Sequence, residues 1–247
     1  MQDKDKERKY FNSFTSDEPW NAFDNKTYKK IVKLFLKCAN PKENDLIIDM
    51  GCGTGELTNE IRNASFKNVK GYDISKNCIK IAKKQFPAID FQVVDIEKTN
   101  LKDNSVDILF FCGILHHFTN MEKVINESRR ILKKGGKIFL FEPNATNPVL
   151  WLFRDENSPI KSKKLKTPNE KFLEKRQIEG MFKKHNFKIN RIECVSGIKY
   201  TKDHFKKLFP FPLYYSVYTY NLFDTILNLT FLRKKFGSFI LGYIEKP

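Results

Sequence analysis

The stretch LIIDMGCGTGEL at residues 46–57 constrains the chain more than any other. An isoleucine-rich apolar run that ends in an acid, and then places glycine at alternate positions, reads as a buried parallel strand turning sharply into a helix. Gly51, Gly53 and Gly55 have no Cβ, so the backbone can turn tightly there and admit a ligand closely, and the following helix offers free N–H groups in its first turn. A nucleotide-like ligand suits such a turn.

The remaining segments arrange themselves around it. Tyr28, Ile31, Val32, Leu34, Phe35 and Cys38 fall on one face of a helix that Asn40-Pro41 closes. Ahead of it, residues 1–18 are polar with the aromatics Tyr10, Phe11 and Phe14, followed by Pro19 and Trp20, and read as an arm that packs on the core or closes over the ligand as a lid. After the turn come a helix at 56–62, a strand at 69–73 ending in Asp73, a helix at 79–86 stopped by Pro87, and a strand at 89–95 ending in Asp95. An apolar strand at 106–112, a helix at 121–132, a Lys134-Gly135-Gly136 turn and a strand at 137–142 continue the alternation that builds an α/β, doubly wound parallel sheet. Residues 143–168 hold four prolines and read as a long loop at the strand ends, followed by a helix at 170–184 and strands at 187–198 and 238–244. Asp73 lies about 20 residues beyond the glycines, the spacing at which a carboxylate meets a ribose hydroxyl pair; capping a helix that starts near Ser75 is the competing role.

Together the segments IIDMGCGTGELT, GYDIS, QVVDIE, VDILFFCGILHHF and RRILKKGGKIFLFEPN resemble the class I S-adenosylmethionine-dependent methyltransferases, particularly the bacterial small-molecule group, over most of 46–198. The resemblance implies a Rossmann-like seven-stranded sheet with the last strand antiparallel, and S-adenosylmethionine as cofactor. It implies that Asp49, Gly51, Cys52 and Gly53 line the methionine end, Asp73 and Ile74 the ribose, Asp95 and Ile96 the adenine amine, and Cys112 and Gly113 the amino acid moiety. A nicotinamide dehydrogenase is the natural rival. Its glycines run GxGxxG rather than GxGxG, and an acid placed like Asp49 would repel a pyrophosphate.

In-line attack on a sulfonium methyl demands alignment above all. A hydroxyl acceptor also needs a base, and a histidine near its usual pKa suits that at neutral pH. His116 and His117 follow the fourth strand, and the resemblance favours His117 as the residue facing the acceptor. Side chains of neighbours at a strand-to-loop turn point apart, so one of the two is expected to act. Glu142 and Asn144, ending the fifth strand, are the next candidates to touch the acceptor. No His, Cys, Asp or Glu cluster has ligand spacing, so no metal is expected. The five cysteines are scattered without CxxC spacing and the charged N-terminus lacks a secretory apolar core, which together point to reduced thiols and a cytoplasmic protein.

The formal net charge of +16 is spread along the chain and reads as a solvated surface. Residues 208–232 bear Asp224 as their one formal charge, with basic residues on both sides. The run approaches a membrane span in length but is too polar for one, which leaves a cap over the acceptor site, a surface resting on an anionic membrane, or plain packing on the sheet. The organisation is then an N-terminal arm and helix at 1–45, the cofactor-binding core at 46–198, the helical, apolar insertion at 199–237 and a final strand at 238–247. The expected activity is methylation, on oxygen, of a small-molecule or lipid- or glycan-type acceptor, apolar or lipid-linked, by a cytoplasmic protein that rests peripherally on the inner face of the membrane. A nucleic-acid methyltransferase is the alternative that the charge alone favours; GILHHF stands where base-modifying enzymes carry Asn-Pro-Pro-Tyr, and nucleic acid is not expected as a partner. A catalytically silent cofactor-binding scaffold is the other.

Overall fold

The structure is a computed structural model that describes residues 4–13, 23–155, 157, 158, 167, 169–209 and 211–247; Phe14, Pro19 and Trp20 of the expected arm lie outside these. The chain opens with α1 (Lys4–Asn12) and α2 (Asn25–Ala39). The Asp24 side chain accepts from Thr27 N to start α2, and Asn40 in a left-handed conformation ends it, as the Asn-Pro pair predicts. The alternating core follows: β1 (Ile47–Met50), α3 (Glu56–Asn63), β2 (Val69–Asp73), α4 (Lys76–Gln85), β3 (Asp90–Val93), β4 (Val106–Cys112), α5 (Glu122–Ile131) and β5 (Leu132–Pro143). Then come α6 (Pro148–Arg154), α7 (Lys175–Lys184), β6 (Lys188–Val195), α8 (Lys202–Leu208), α9 (Ser216–Asn228), α10 (Arg233–Phe236) and β7 (Phe239–Glu245).

The strands form one seven-stranded sheet in the order β3-β2-β1-β4-β5-β7-β6. The pairs from β3 through β5 are parallel, while β7 lies antiparallel between β5 and β6. Along β4 and β5 the side chains alternate between two cores, as the period of two requires. Leu109, Phe111, Ile138 and Leu140 pack toward α5 and α7, and Ile108, Phe110, Phe139 and Phe141 toward α2 and α3. The strand order reverses between β1 and β4, so the crevice beyond their C-terminal ends is where an open α/β sheet takes its ligand.

Several boundaries differ from the sequence expectation for local reasons. The Lys134-Gly135-Gly136 turn is an excursion within β5: Leu132 pairs with Val106 and Lys137 with Ile108, so the residues between loop out, with Gly135 at φ 74°. The helix expected from 170 starts at Lys175, because Glu174 and Gln177 form a reciprocal capping box there. Within the expected loop at 143–168, Asn147 caps α6 with Pro148 in its first turn.

Candidate active site

A cavity of about 270 Å³ opens over the C-terminal ends of β1, β2 and β4. Every position assigned to the cofactor by resemblance lines it: Asp49 and the 51–53 turn, Asp73 with Ile74, Asp95 with Ile96, and Cys112 with Gly113. Gly51 adopts φ +86°, and a Cβ there would come within 2.5 Å of Ile114, so the turn requires glycine on two counts. Around Gly53 (φ +54°) an added Cβ would meet nothing within 4 Å, which leaves the backbone open to a close ligand.

The carboxylates are arranged by the backbone. Asp73 Oδ2 accepts from Gly53 N at 2.9 Å and Oδ1 from Ser75 N at 2.8 Å, so it ties the tip of β2 to the glycine turn. The cap of α4 is Ser75, whose hydroxyl accepts from Cys78 N. Burial raises the Asp73 pKa, against the pull of its N–H donors. Asp49 is deeper: its Oδ2 accepts from Thr58 Oγ1 at 2.6 Å, and burial pushes its pKa up to about 7. Asp95 lies at the rim, where its Oδ2 meets Lys4 Nζ at 2.8 Å and Oδ1 accepts from Glu97 N. Cys52 and Cys112 are neutral thiols, their pKa values held well above the usual one by burial.

These groups fit S-adenosylmethionine by their chemistry. A carboxylate is an acceptor with several lone-pair sites, and the ligand offers a cationic amino acid end, a ribose diol and an adenine amine, all donors. Asp49, Asp73 and Asp95 would serve them in that order, beside glycines that let the ligand lie against the backbone.

Past β4 the chain makes a 3-10 turn, Leu115–His117. Both histidines line the cavity. Their rings do not point apart as expected for a strand-like turn; the tight 3-10 geometry brings the centroids to 4.1 Å at 39°. His116 Nδ1 lies 2.8 Å from Glu142 Oε2, while Glu142 Oε1 accepts from Ile114 N and Leu115 N, both at 2.9 Å. Glu142 is fully buried at 0% exposure and sits behind the histidines, not at the cavity wall, so its expected contact with the acceptor gives way to the holding of this turn. Asn144 is likewise fully buried and donates to the carbonyls of Lys235 and Gly237. His117 Nδ1 lies 2.9 Å from Thr167 Oγ1. Burial, with His116 and Arg154 nearby, pushes its pKa well below the usual histidine value, unlike the near-neutral base expected from sequence.

The sequence offers the 208–232 run as one candidate cap over the acceptor site but does not single out the α6 and α8 residues at the far end of the cavity. Phe205 and Phe209 from the α8 region, Tyr220 from α9 and Tyr200 line it, together with Arg154 of α6. Arg154 Nε donates to Glu170 Oε1 at 3.1 Å. α1 contributes Lys4, Glu7 and Phe11 to the wall, and Glu7 accepts from Thr167 Oγ1 and Asn169 N. Only the aromatic content of 199–237 hinted at this end. Among the described residues no group of three His, Cys, Asp or Glu is disposed to hold a metal ion.

The family described as "Methyltransferase domain" matches residues 48–140. The ubiquinone/menaquinone biosynthesis C-methyltransferase UbiE of Campylobacter jejuni is 29% identical over 137 residues, which are 53% of this chain and 54% of that protein. The chain thus spans about half the length of the curated relatives it matches. Among solved structures, the [4+2]-cyclase SpnF superposes with a TM-score of 0.64 at 16% identity, covering 92% of this chain and 86% of that one. Geranyl diphosphate C-methyltransferase from Streptomyces coelicolor, solved with S-adenosyl-L-homocysteine, gives 0.62 at 13% identity over 97% and 96%. At these identities the superpositions speak for the fold, which a cyclase and a methyltransferase share. Residues 48–140 thus match a methyltransferase domain, and the seven-stranded sheet completed around them, with its order and its antiparallel β7, has the Rossmann-like fold of the class I S-adenosylmethionine-dependent methyltransferases.

Proposed function

We propose that the protein transfers the methyl group of S-adenosylmethionine to a hydroxyl oxygen of an apolar small molecule, with His117 facing the acceptor, and that it takes this acceptor from an anionic membrane surface. The observation behind the reading is the continuity of one cavity, from the carboxylate-lined glycine turn, past the paired histidines, to the aromatic walls of the insertion. The test supplies methyl-labelled S-adenosylmethionine and an apolar cell extract to the purified protein. Label is expected in the apolar fraction with the wild type and in at most a trace with Asp73→Ala, whose cofactor affinity falls. Label in RNA or protein would sink the reading. Carbon is the second candidate for the acceptor atom, because UbiE is named as a C-methyltransferase; a 13C-methyl group distinguishes a methoxy from a carbon-bound product by NMR.

The membrane contact rests on the insertion's two faces. α9 turns Val217, Tyr220, Asp224 and Leu227 inward. Asp224, the lone acid of the apolar run, is buried and accepts from Gly197 N, Ile198 N and Ser238 Oγ, which pins α9 to the core. The opposite face exposes Leu222 at 61%, Ile226 at 54% and Leu229 at 82%, with Phe231 beyond at 81%. Apolar side chains gathered on one exposed helix face mark an interaction surface. Arg233, Lys234 and Lys235 are exposed beside them, the charge that anionic headgroups attract at about 1 kcal/mol per residue. No helix among the described residues is long and apolar enough to cross a membrane. The protein is expected to bind phosphatidylserine-containing vesicles at low ionic strength and to lose them as salt rises. The triple substitution Leu222→Glu, Ile226→Glu, Leu229→Glu is expected to abolish binding and leave cofactor affinity unchanged. Failure of the wild type to bind, with dimerisation in sedimentation, would assign the face to a second copy instead.

A further inference from the structure

Resting on the reading of His117 as the group that faces the acceptor, we propose that Glu7 of α1 is the positioning residue that completes this histidine as a base, holding its tautomer through Thr167 and supplying its countercharge. Thr167 Oγ1 donates its single hydrogen to Glu7 Oε1 at 2.7 Å and lies 2.9 Å from His117 Nδ1. With its hydrogen committed, the hydroxyl can only accept from the ring. Nδ1 is therefore the N–H nitrogen, and Nε2 holds the lone pair.

The other oxygen of Glu7 is what makes the arrangement more than a strap. Oε2 is buried without a hydrogen-bond partner and lies 3.8 Å from His117 Nδ1. An uncommitted buried acceptor is a cost in the resting protein. Beside an imidazole that takes up a proton it becomes a partner for the new charge. As the acceptor oxygen forms its bond to the methyl carbon, its proton passes to His117 Nε2, the carbon–sulfur bond breaks with its electron pair left on sulfur, and the resulting imidazolium faces Glu7. This is the logic by which a buried carboxylate serves a catalytic histidine elsewhere.

Among the described residues the remaining charged groups near the ring do not supply this. His116, at 4.1 Å, and Arg154 both oppose a charge on His117, and Glu170 is engaged by Arg154. Glu7 reaches the ring only because α1 is seated across the cavity. Lys4 pairs with Asp95 and Glu97 near one end of the helix, and Asn12 at the other accepts from Ser75 Oγ at 2.9 Å. Between them the Phe11 ring meets His117 edge-on at 5.3 Å. The same helix thus roofs the cofactor positions and completes the base.

Glu7→Gln separates the two roles, since its amide oxygen still accepts from Thr167 and Asn169 while an NH2 group replaces Oε2. With methyl-labelled S-adenosylmethionine and the apolar extract, Glu7→Gln is expected to slow transfer about tenfold or more and to move the acid limb of the pH–rate profile down by about one pH unit. Cofactor affinity by calorimetry is expected to hold. In a His117→Gln background the same substitution is expected to cost nothing further, because the pair acts as a unit. Equal losses in both backgrounds, or an unmoved pH limb, overturn the proposal and leave the methyl-transfer reading intact. A wild-type protein that binds cofactor but transfers no label to the extract overturns both.

Discussion

Asp49→Asn is expected to make the free protein more stable at neutral and alkaline pH while weakening S-adenosylmethionine binding about 10- to 100-fold, the loss that a charge-assisted hydrogen bond implies. Burial raises the Asp49 pKa to about 7, from an ordinary 3.8. Between those values the folded protein holds one proton more than the unfolded chain, so stability is full below about pH 4 and falls as pH rises toward 7, by about 1.4 kcal/mol per pH unit. An amide has no such charge to bury, and the Thr58 hydroxyl can still donate to its oxygen. Thermal melts should therefore converge at low pH and separate in favour of the variant above pH 7, by an amount on the order of 4 kcal/mol. A cation placed beside Asp49 reverses the penalty and releases its proton. Calorimetric heats of cofactor binding near pH 6.5 should then depend on the buffer's ionisation enthalpy in the wild type and not in Asp49→Asn. Buffer-independent heats in both would mean that Asp49 does not meet the cationic end.

Glu142→Ala is expected to destabilise the protein by about 4 kcal/mol or more, because it strips a fully buried acceptor from two backbone N–H groups and a histidine ring. For a chain of this size that corresponds to a fall in Tm of roughly 10 °C or more. Glu142→Gln should lose far less: its amide oxygen can keep the Ile114 and Leu115 bonds. Its NH2 then faces His116 Nδ1 and turns that nitrogen from donor to acceptor, which 15N shifts of the imidazole report directly. A Glu142→Ala protein as stable as the wild type would show that the turn before α5 does not depend on this carboxylate.

What could be read in the sequence is what depends on neighbours along the chain. The strand–glycine–helix unit at 46–57 and the acids that end β2 and leave β3 are local patterns, and they come together on one crevice because the parallel alternation admits few other arrangements. Asp224 was legible as an anomaly, a single acid in an apolar run, though its three donors come from both flanks of the insertion. α6 had a local signal too, Asn147 before Pro148, hidden by the surrounding prolines. The histidine rings depart from the expected strand-like alternation because these residues fold into a 3-10 turn. Glu7 gave no signal at all. Its partner Thr167 lies 160 residues away along the chain, and nothing in a lysine-rich N-terminal segment distinguishes a carboxylate that will be buried from one that will be solvated.

The place of β7 imposes a timetable on synthesis. Among the described residues β6 has no neighbour in the sheet except β7, and β5 presents its outer edge to β7 alone. A nascent chain leaving the ribosome therefore carries an open β5 edge and an unpaired β6 through the whole production of α8, α9 and α10, whose apolar faces are exposed at the same time. Open edges and apolar helices are what aggregation and chaperones both recognise. The parallel half can assemble early, but Phe239, which lines the cavity, arrives only with β7, so a stalled or shortened product would retain the crevice at the glycine turn without that part of the cavity wall.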